Sequence, residues 1–179
     1  MTRPRAAAPG SAELRRLAQE CGVALARAGR MLVCAESCTG GLIAATCTSI
    51  PGSSNWFEGS FVTYQARTKR RVLGVAAATL QQHGVVSEST AREMAMGALA
   101  RSEADIAVSV TGVAGPAGGD IDHPIGTVWF AWATRDRDTV VVKQTAHHVF
   151  PGNREQVRRA AVAAALEGVG AIVSRDPIA

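Results

Sequence analysis

Five apolar residues, 31–35, run straight into the small-residue turn Ser37-Cys38-Thr39-Gly40-Gly41, and from Leu42 the chain reads as a helix that Pro51-Gly52 ends. A strand that passes through glycines into a helix opens a layered α/β unit, because the helix must fold back over the sheet to bury its apolar stripe. The alternation continues on both sides. Apolar positions at spacings of three and four from Leu14 to Ala28 predict an amphipathic helix, with Ser11 as N-cap and Gly29 as stop. Residues 57–64 predict a strand, 66–73 and 76–83 short helices, and 87–101 a longer helix capped by Ser87. Residues 106–111 are apolar with little alternation, as in a central strand buried on both faces. A glycine-rich loop, 112–126, then leads to two strands, 127–133 and 139–149, joined by the polar tip 135–138 as an antiparallel hairpin. A closing helix starts at Asn153, which stands at capping-box spacing from Gln156, and runs to about Val173. The expectation is one domain over 11–179: a three-layer α/β/α sandwich with a mixed sheet. Residues 1–10, rich in Arg, Ala and Pro and without periodicity, read as a disordered lead-in.

The chain of 179 residues has room for one core, which argues against separate cofactor and substrate lobes. A net charge of +4 favours anionic partners without separating a phosphate-bearing metabolite from nucleic acid. Cys21, Cys34, Cys38 and Cys47 form no CxxC pair, and His83, His123, His147 and His148 lack metal-finger spacing, so reduced thiols and no metal site are expected. No apolar run reaches the ~18 residues of a membrane span and the start lacks a signal-like apolar stretch, so the reading is a cytoplasmic protein without a membrane partner.

Two small-residue turns directly follow predicted strands, at Ser37-Cys38-Thr39-Gly40-Gly41 and from Thr111 and Gly112 onward, which is where ligands bind in open α/β sheets. Gly40 and Gly41 would let amides at the start of the following helix face an anion; a tight turn with no ligand is the competing reading. Arg154, at the start of the last helix, is a second phosphate candidate, or an exposed arginine. Ser53 and Ser54 follow Pro51-Gly52 with Lys69 as the nearest plausible base, and burial together with the charges of Arg67, Arg70 and Arg71 beside it would lower its pKa. On the residues alone, 66–71 reads as a solvated basic helix face and the two serines as turn formers. Tyr64, the single tyrosine, could relay protons or orient a substrate. Cys38 reads as a buried thiol, and strand alternation points His147 and His148 apart.

The motifs Ala35-Glu36-Ser37-Cys38-Thr39-Gly40-Gly41, Pro51-Gly52-Ser53-Ser54, Phe61-Val62-Thr63-Tyr64, Val86-Ser87-Glu88, Val110-Thr111-Gly112-Val113-Ala114-Gly115-Pro116 and Pro124-Ile125-Gly126-Thr127-Val128-Trp129 resemble, in order and spacing, the CinA C-terminal domain family. That family includes nicotinamide-nucleotide amidohydrolases, which convert nicotinamide mononucleotide to nicotinate mononucleotide and ammonia. The resemblance implies amide hydrolysis through an acyl-enzyme, with no cofactor and no metal, on a pyridine nucleotide. By position it implies Ser54 as nucleophile, Lys69 as base and Tyr64 assisting, with Ser37, Thr111 and Arg154 around the ligand; Thr39, Gly40, Gly41 and Gly112, in the turns after the strands, are expected to line the substrate site with them. It suggests a homodimer by analogy, and nucleic acid is not an expected partner. Between Tyr64 and Lys69 the sequence Gln65-Ala66-Arg67-Thr68 departs from the family's usual Ser-Asn-Glu-Ala. The alternative is a paralogue that binds a nucleotide or nucleic acid without turnover.

Overall fold

The computed structural model describes residues 8–137 and 139–175. Most of the expected lead-in, and one residue of the expected hairpin tip, lie outside the described residues.

The chain folds into α1 (Ser11–Arg27), β1 (Leu32–Glu36), α2 (Leu42–Thr48), a single 3-10 turn (Ser53–Asn55), β2 (Phe57–Val62), α3 (Ala66–Leu73), α4 (Ala77–His83), α5 (Glu88–Leu99), β3 (Ile106–Gly112), β4 (Thr127–Asp136), β5 (Thr139–Val149) and α6 (Arg154–Arg175). The five strands make one sheet in the order β2-β1-β3-β4-β5. β1 pairs parallel with both β2 and β3, while β4 and β5 run antiparallel, so the sheet is mixed. The expected three-layer α/β/α sandwich is formed in a single domain.

Strand alternation sorts the core into two clusters. Leu32 and Cys34 of β1, Val108 and Val110 of β3, and Phe130 and Trp132 of β4 pack with α1, α2 and α6. Val33, Ala35, Ala107, Ala131 and Ala133, the intervening residues, pack with α3 and α5. The helix after β1 therefore covers one face and the helices after β2 cover the other, as right-handed crossovers on either side of β1 require. The crevice opens where the order turns, beyond the carboxyl ends of β1 and β3.

Two local expectations are corrected. Gly10, not Ser11, occupies the N-cap of α1: its carbonyl accepts from Leu14 N–H at 3.0 Å, and Ser11 is the first helical residue. The 3-10 turn at Ser53–Asn55 carries no periodic signal and was not expected from the sequence. At the last helix the capping box forms: Asn153 Oδ1 accepts from Gln156 N–H at 3.0 Å, and Gln156 Oε1 accepts from Asn153 N–H at 2.8 Å.

One glycine matters for the position of α3. A Cβ on Gly97 of α5 would overlap the carbonyl oxygen of Leu73, the last residue of α3, so the two helices touch backbone to side-chain-free backbone. Because the obstacle is main chain, relief requires a shift of α3 itself. Gly97→Ala is expected to cost about 2–3 kcal/mol, net of the helix propensity alanine adds, and to lower the melting temperature by roughly 4–10 °C. Thermal unfolding followed by circular dichroism checks it.

Candidate active site

β1 ends in Glu36 and the chain continues into Ser37, so pleating sends these neighbours to opposite faces. Glu36 turns toward α2 and is fully buried. Its Oε2 accepts from the N–H groups of Gly41 (2.9 Å) and Ile43 (3.1 Å), and its Oε1 from Ala44 N–H (3.0 Å) and Ser60 Oγ (2.9 Å). Leu42 N–H bonds to Thr39 O at 3.2 Å, so the amides that open α2 all have partners. Gly41, the N-cap, holds φ at +90° and Gly40 holds +60°, left-handed values that suit glycine and close the turn. This is a correction. Gly40 donates to Ser37 O at 3.0 Å and Gly41 to Glu36, so their amides are spent on the turn and do not face an incoming anion. The sequence reading passed over Glu36; its signal was a carboxylate at the end of an apolar strand, five residues before a helix start that has no capping side chain of its own.

Ser37 faces the other way, toward α3. Lys69, on the inner face of α3, is 1 % exposed. Its Nζ donates to Ser37 Oγ at 2.7 Å, to Thr63 O at 2.6 Å and, at 3.4 Å, to Tyr64 O. No carboxylate among the described residues accepts from it. Burial disfavours the ammonium form and lowers the Lys69 pKa from 10.5 to about 8, with the neighbouring Cys38 pushing weakly the other way. Burial, rather than the neighbouring arginines, is the first cause. A lysine poised to lose its proton near neutral pH, within hydrogen-bond reach of a hydroxyl, has the geometry that a base–nucleophile pair requires. Cys38 is buried and its thiol is pushed up to about 12, mainly by desolvation, which leaves it inert.

Ser54 is not brought to Lys69. It is exposed in the 3-10 turn that precedes β2, whereas Lys69 lies beyond the other end of that strand. From Phe57 to Val62 alone the strand advances about 17 Å at ~3.3 Å per residue. The expectation pairing Ser54 with Lys69 therefore gives way to a Ser37–Lys69 pair. Tyr64 is also placed differently from expectation. Its ring is about half exposed, and its hydroxyl accepts from Arg154 Nη2 at 3.1 Å rather than meeting Lys69 or Ser37. Arg154 Nη1 donates to Gly115 O at 2.7 Å, tying the start of α6 to the loop after β3.

The remaining expected residues divide between site and scaffold. Thr111 is buried and spends its hydroxyl on Val85 O at 2.6 Å, while its neighbour Val110 accepts from Ser37 N–H at 3.0 Å. Gly112 is needed for sheet packing, since a Cβ there would overlap Thr127 O. Thr39 and Thr63 are fully buried beside the Ser37–Lys69 pair, and their Oγ1 atoms have no hydrogen-bond partner among the described residues. An unsatisfied buried hydroxyl costs about 1–3 kcal/mol, so these are polar atoms the fold has left uncommitted. Among the described residues no group of His, Cys, Asp or Glu could hold a metal ion, and all four cysteines are free and buried. No described helix is long and apolar enough to cross a membrane.

The chain is similar to known proteins along most of its length. Nicotinamide-nucleotide amidohydrolase PncC of Enterobacter agglomerans is 49% identical over 154 residues, covering 86% of this chain and 92% of the relative. The protein of the same name from Escherichia coli K12 is 48% identical over 155 residues, covering 87% and 92%. The crystal structure of the competence/damage inducible protein CihA from Agrobacterium tumefaciens superposes with a TM-score of 0.84 at 41% identity, covering 94% of this chain and 99% of that one. Residues 14–173 match the CinA C-terminal domain, and the chain belongs to that family.

Proposed function

We propose that this chain hydrolyses the carboxamide of nicotinamide mononucleotide, releasing ammonia and leaving nicotinate mononucleotide, through an ester on Ser37. The observation that carries this is the buried Lys69 Nζ at 2.7 Å from Ser37 Oγ, with no carboxylate among the described residues holding it in the ammonium form. The names and close similarity of the PncC relatives support the substrate.

Neutral Lys69 takes the Ser37 proton as Oγ attacks the carboxamide carbon. Electrons move onto the carbonyl oxygen, giving a tetrahedral oxyanion. The peptide N–H groups of Cys38 and Thr39, which directly follow Ser37 and enter no backbone–backbone hydrogen bond among the described residues, are assigned as donors for that charge; one such donor contributes about 10²–10³ in rate. When the C–N bond breaks, the Lys69 ammonium gives its proton to the departing nitrogen, which leaves as ammonia. Water, deprotonated by the regenerated amine, then attacks the ester, and Ser37 recovers its proton as the acid is released. Tyr64, held by Arg154, bounds the pocket and orients the substrate.

Ammonia release from nicotinamide mononucleotide by the purified protein, with and without a chelator, tests the reading. The expected result is stoichiometric ammonia and nicotinate mononucleotide, unchanged by the chelator. A folded protein that releases none refutes it.

A further inference from the structure

The mechanism uses Lys69 from the basic run 67–71 and leaves its three arginines without a role. α3, Ala66–Leu73, carries four basic residues and no acid. At about 100° per residue, Arg70 lies about 60° to one side of Arg67 and Arg71 about 40° to the other, so the three share one exposed face. Lys69 lies about 200° from Arg67, on the opposite face, where it is buried. The helix thus divides its basic groups by position, one amine inside and three guanidiniums outside.

The outer three are crowded. From Arg67 to Arg71 the helix rises about 6 Å, and residues three and four apart are neighbours on a helix surface, where like charges repel. Arg67 stands near the start of α3, at the positive end of the helix dipole, which adds to the repulsion. Elsewhere in the chain such charge is relieved by a carboxylate: Arg16 meets Glu20 at 2.6 Å and Arg159 meets Glu155 at 3.1 Å. Among the described residues, no side chain joins Arg67, Arg70 or Arg71 in a hydrogen bond or an ion pair.

The same three side chains border a recess of about 450 Å³, completed by Val75 and Ala77 just beyond the helix. Glu93, the carboxylate that reaches this segment, accepts from Ala76 N–H at 2.7 Å and from the Thr79 hydroxyl at 2.5 Å, and it does not line the recess. A guanidinium is a planar fork of five N–H donors that pairs with phosphate oxygens two at a time. Three forks around one recess suit a compact anion with more than one phosphoryl group. A nucleic-acid strand, by contrast, is held by a track of cations that follows successive phosphates. The basic face does not extend into such a track: α4, next in the chain, carries no charged residue before His83.

We propose that the outer face of α3 is a binding site for a compact polyphosphate, either free diphosphate or the diphosphate of a nucleotide, separate from the Ser37–Lys69 pair. The site stands apart from the amidase reading and is tested without it.

Calorimetry with inorganic pyrophosphate compares the parent with Arg70→Gln, Arg71→Gln and, as a control that removes the same charge from α5, Arg92→Gln. The affinity is expected to fall about tenfold in each of the first two, as the loss of a charge-assisted contact implies, and to stay at the parent's value in the control. Modification of the parent by phenylglyoxal, followed by peptide mass spectrometry, gives a readout confined to the recess. Pyrophosphate at about ten times its Kd is expected to slow modification about tenfold at Arg67, Arg70 and Arg71, and not at Arg92. Orthophosphate is expected to bind at least about tenfold more weakly than pyrophosphate. ADP separates the two sources, and either result upholds the site: affinity at or below that of pyrophosphate assigns the free diphosphate, and tighter binding that Arg70→Gln weakens assigns the nucleotide. Unchanged affinity in both α3 variants, no protection at 67–71, or orthophosphate bound as tightly as pyrophosphate overturns the proposal. A single-stranded oligonucleotide that binds more tightly than pyrophosphate and is weakened by Arg70→Gln also overturns it, because the face is then a nucleic-acid contact.

Discussion

Ser37→Ala lowers ammonia release from nicotinamide mononucleotide by about 10⁴-fold, and Ser54→Ala changes it by less than about twofold. The first magnitude is that of losing a covalent nucleophile while binding and oxyanion donors remain. The second follows from position: Ser54 lies on the exposed turn before β2, on the far side of the strand from the buried amine. The pair of variants separates two mechanisms that the sequence alone leaves open. Measuring kcat/KM for both, with circular dichroism to confirm that each folds, decides between them; the reverse pattern would require β2 or α3 to move by more than the length of the strand.

Lys69→Met is expected to lower kcat/KM by at least about 10³-fold while making the protein more stable at pH 7. The lysine pKa is lowered from 10.5 to about 8 in the folded chain. Below pH 8 the amine is protonated in both folded and unfolded states, and burying that charge costs up to about 3 kcal/mol. Between 8 and 10.5 the unfolded chain binds more protons than the folded one, so stability rises with pH and the penalty disappears. Methionine fills the space without the charge, so its melting temperature lies above the parent's at pH 7 and the gap closes as pH approaches 10.5. Activity of the parent has the matching sign: the base is competent when neutral, so kcat/KM rises about tenfold per pH unit below 8 and levels off above it. A flat profile from pH 6 to 9 would remove Lys69 as the base. An enzyme that keeps a lysine under such a penalty is trading stability for reactivity at one position.

Much of the fold was legible because the alternation of periods is strong. The strand, glycine turn and helix from 31 to 50 and the apolar β3 are set by patterns that local physics enforces, and the elements lie within a few residues of their predicted ends. The catalytic pairing was harder to read. Ser37, Ser54 and Lys69 were all visible as candidates, but which serine meets the lysine depends on β1 lying beside β2 in parallel register, with Glu36 opposite Val62. That is a long-range fact: Ser37 lies thirty-two residues from the lysine, whereas Ser54, the serine assigned by resemblance, lies fifteen away. Glu36 escaped notice for a related reason. A carboxylate in a short apolar strand looks like a surface residue at the strand end until the four donors that converge on it are in place.

The adjacency of Glu36 and Ser37 on opposite faces makes β1 self-checking. A slip of one residue in its pairing would exchange the two, pushing a carboxylate against the buried amine and leaving the start of α2 with a hydroxyl too short to reach its amides. The misaligned chain would pair that carboxylate with the lysine, holding it in the ammonium form and removing the base, while the start of α2 frays. Under the proposed mechanism, catalytic competence and correct strand alignment are thus a single selectable trait, encoded in two consecutive residues.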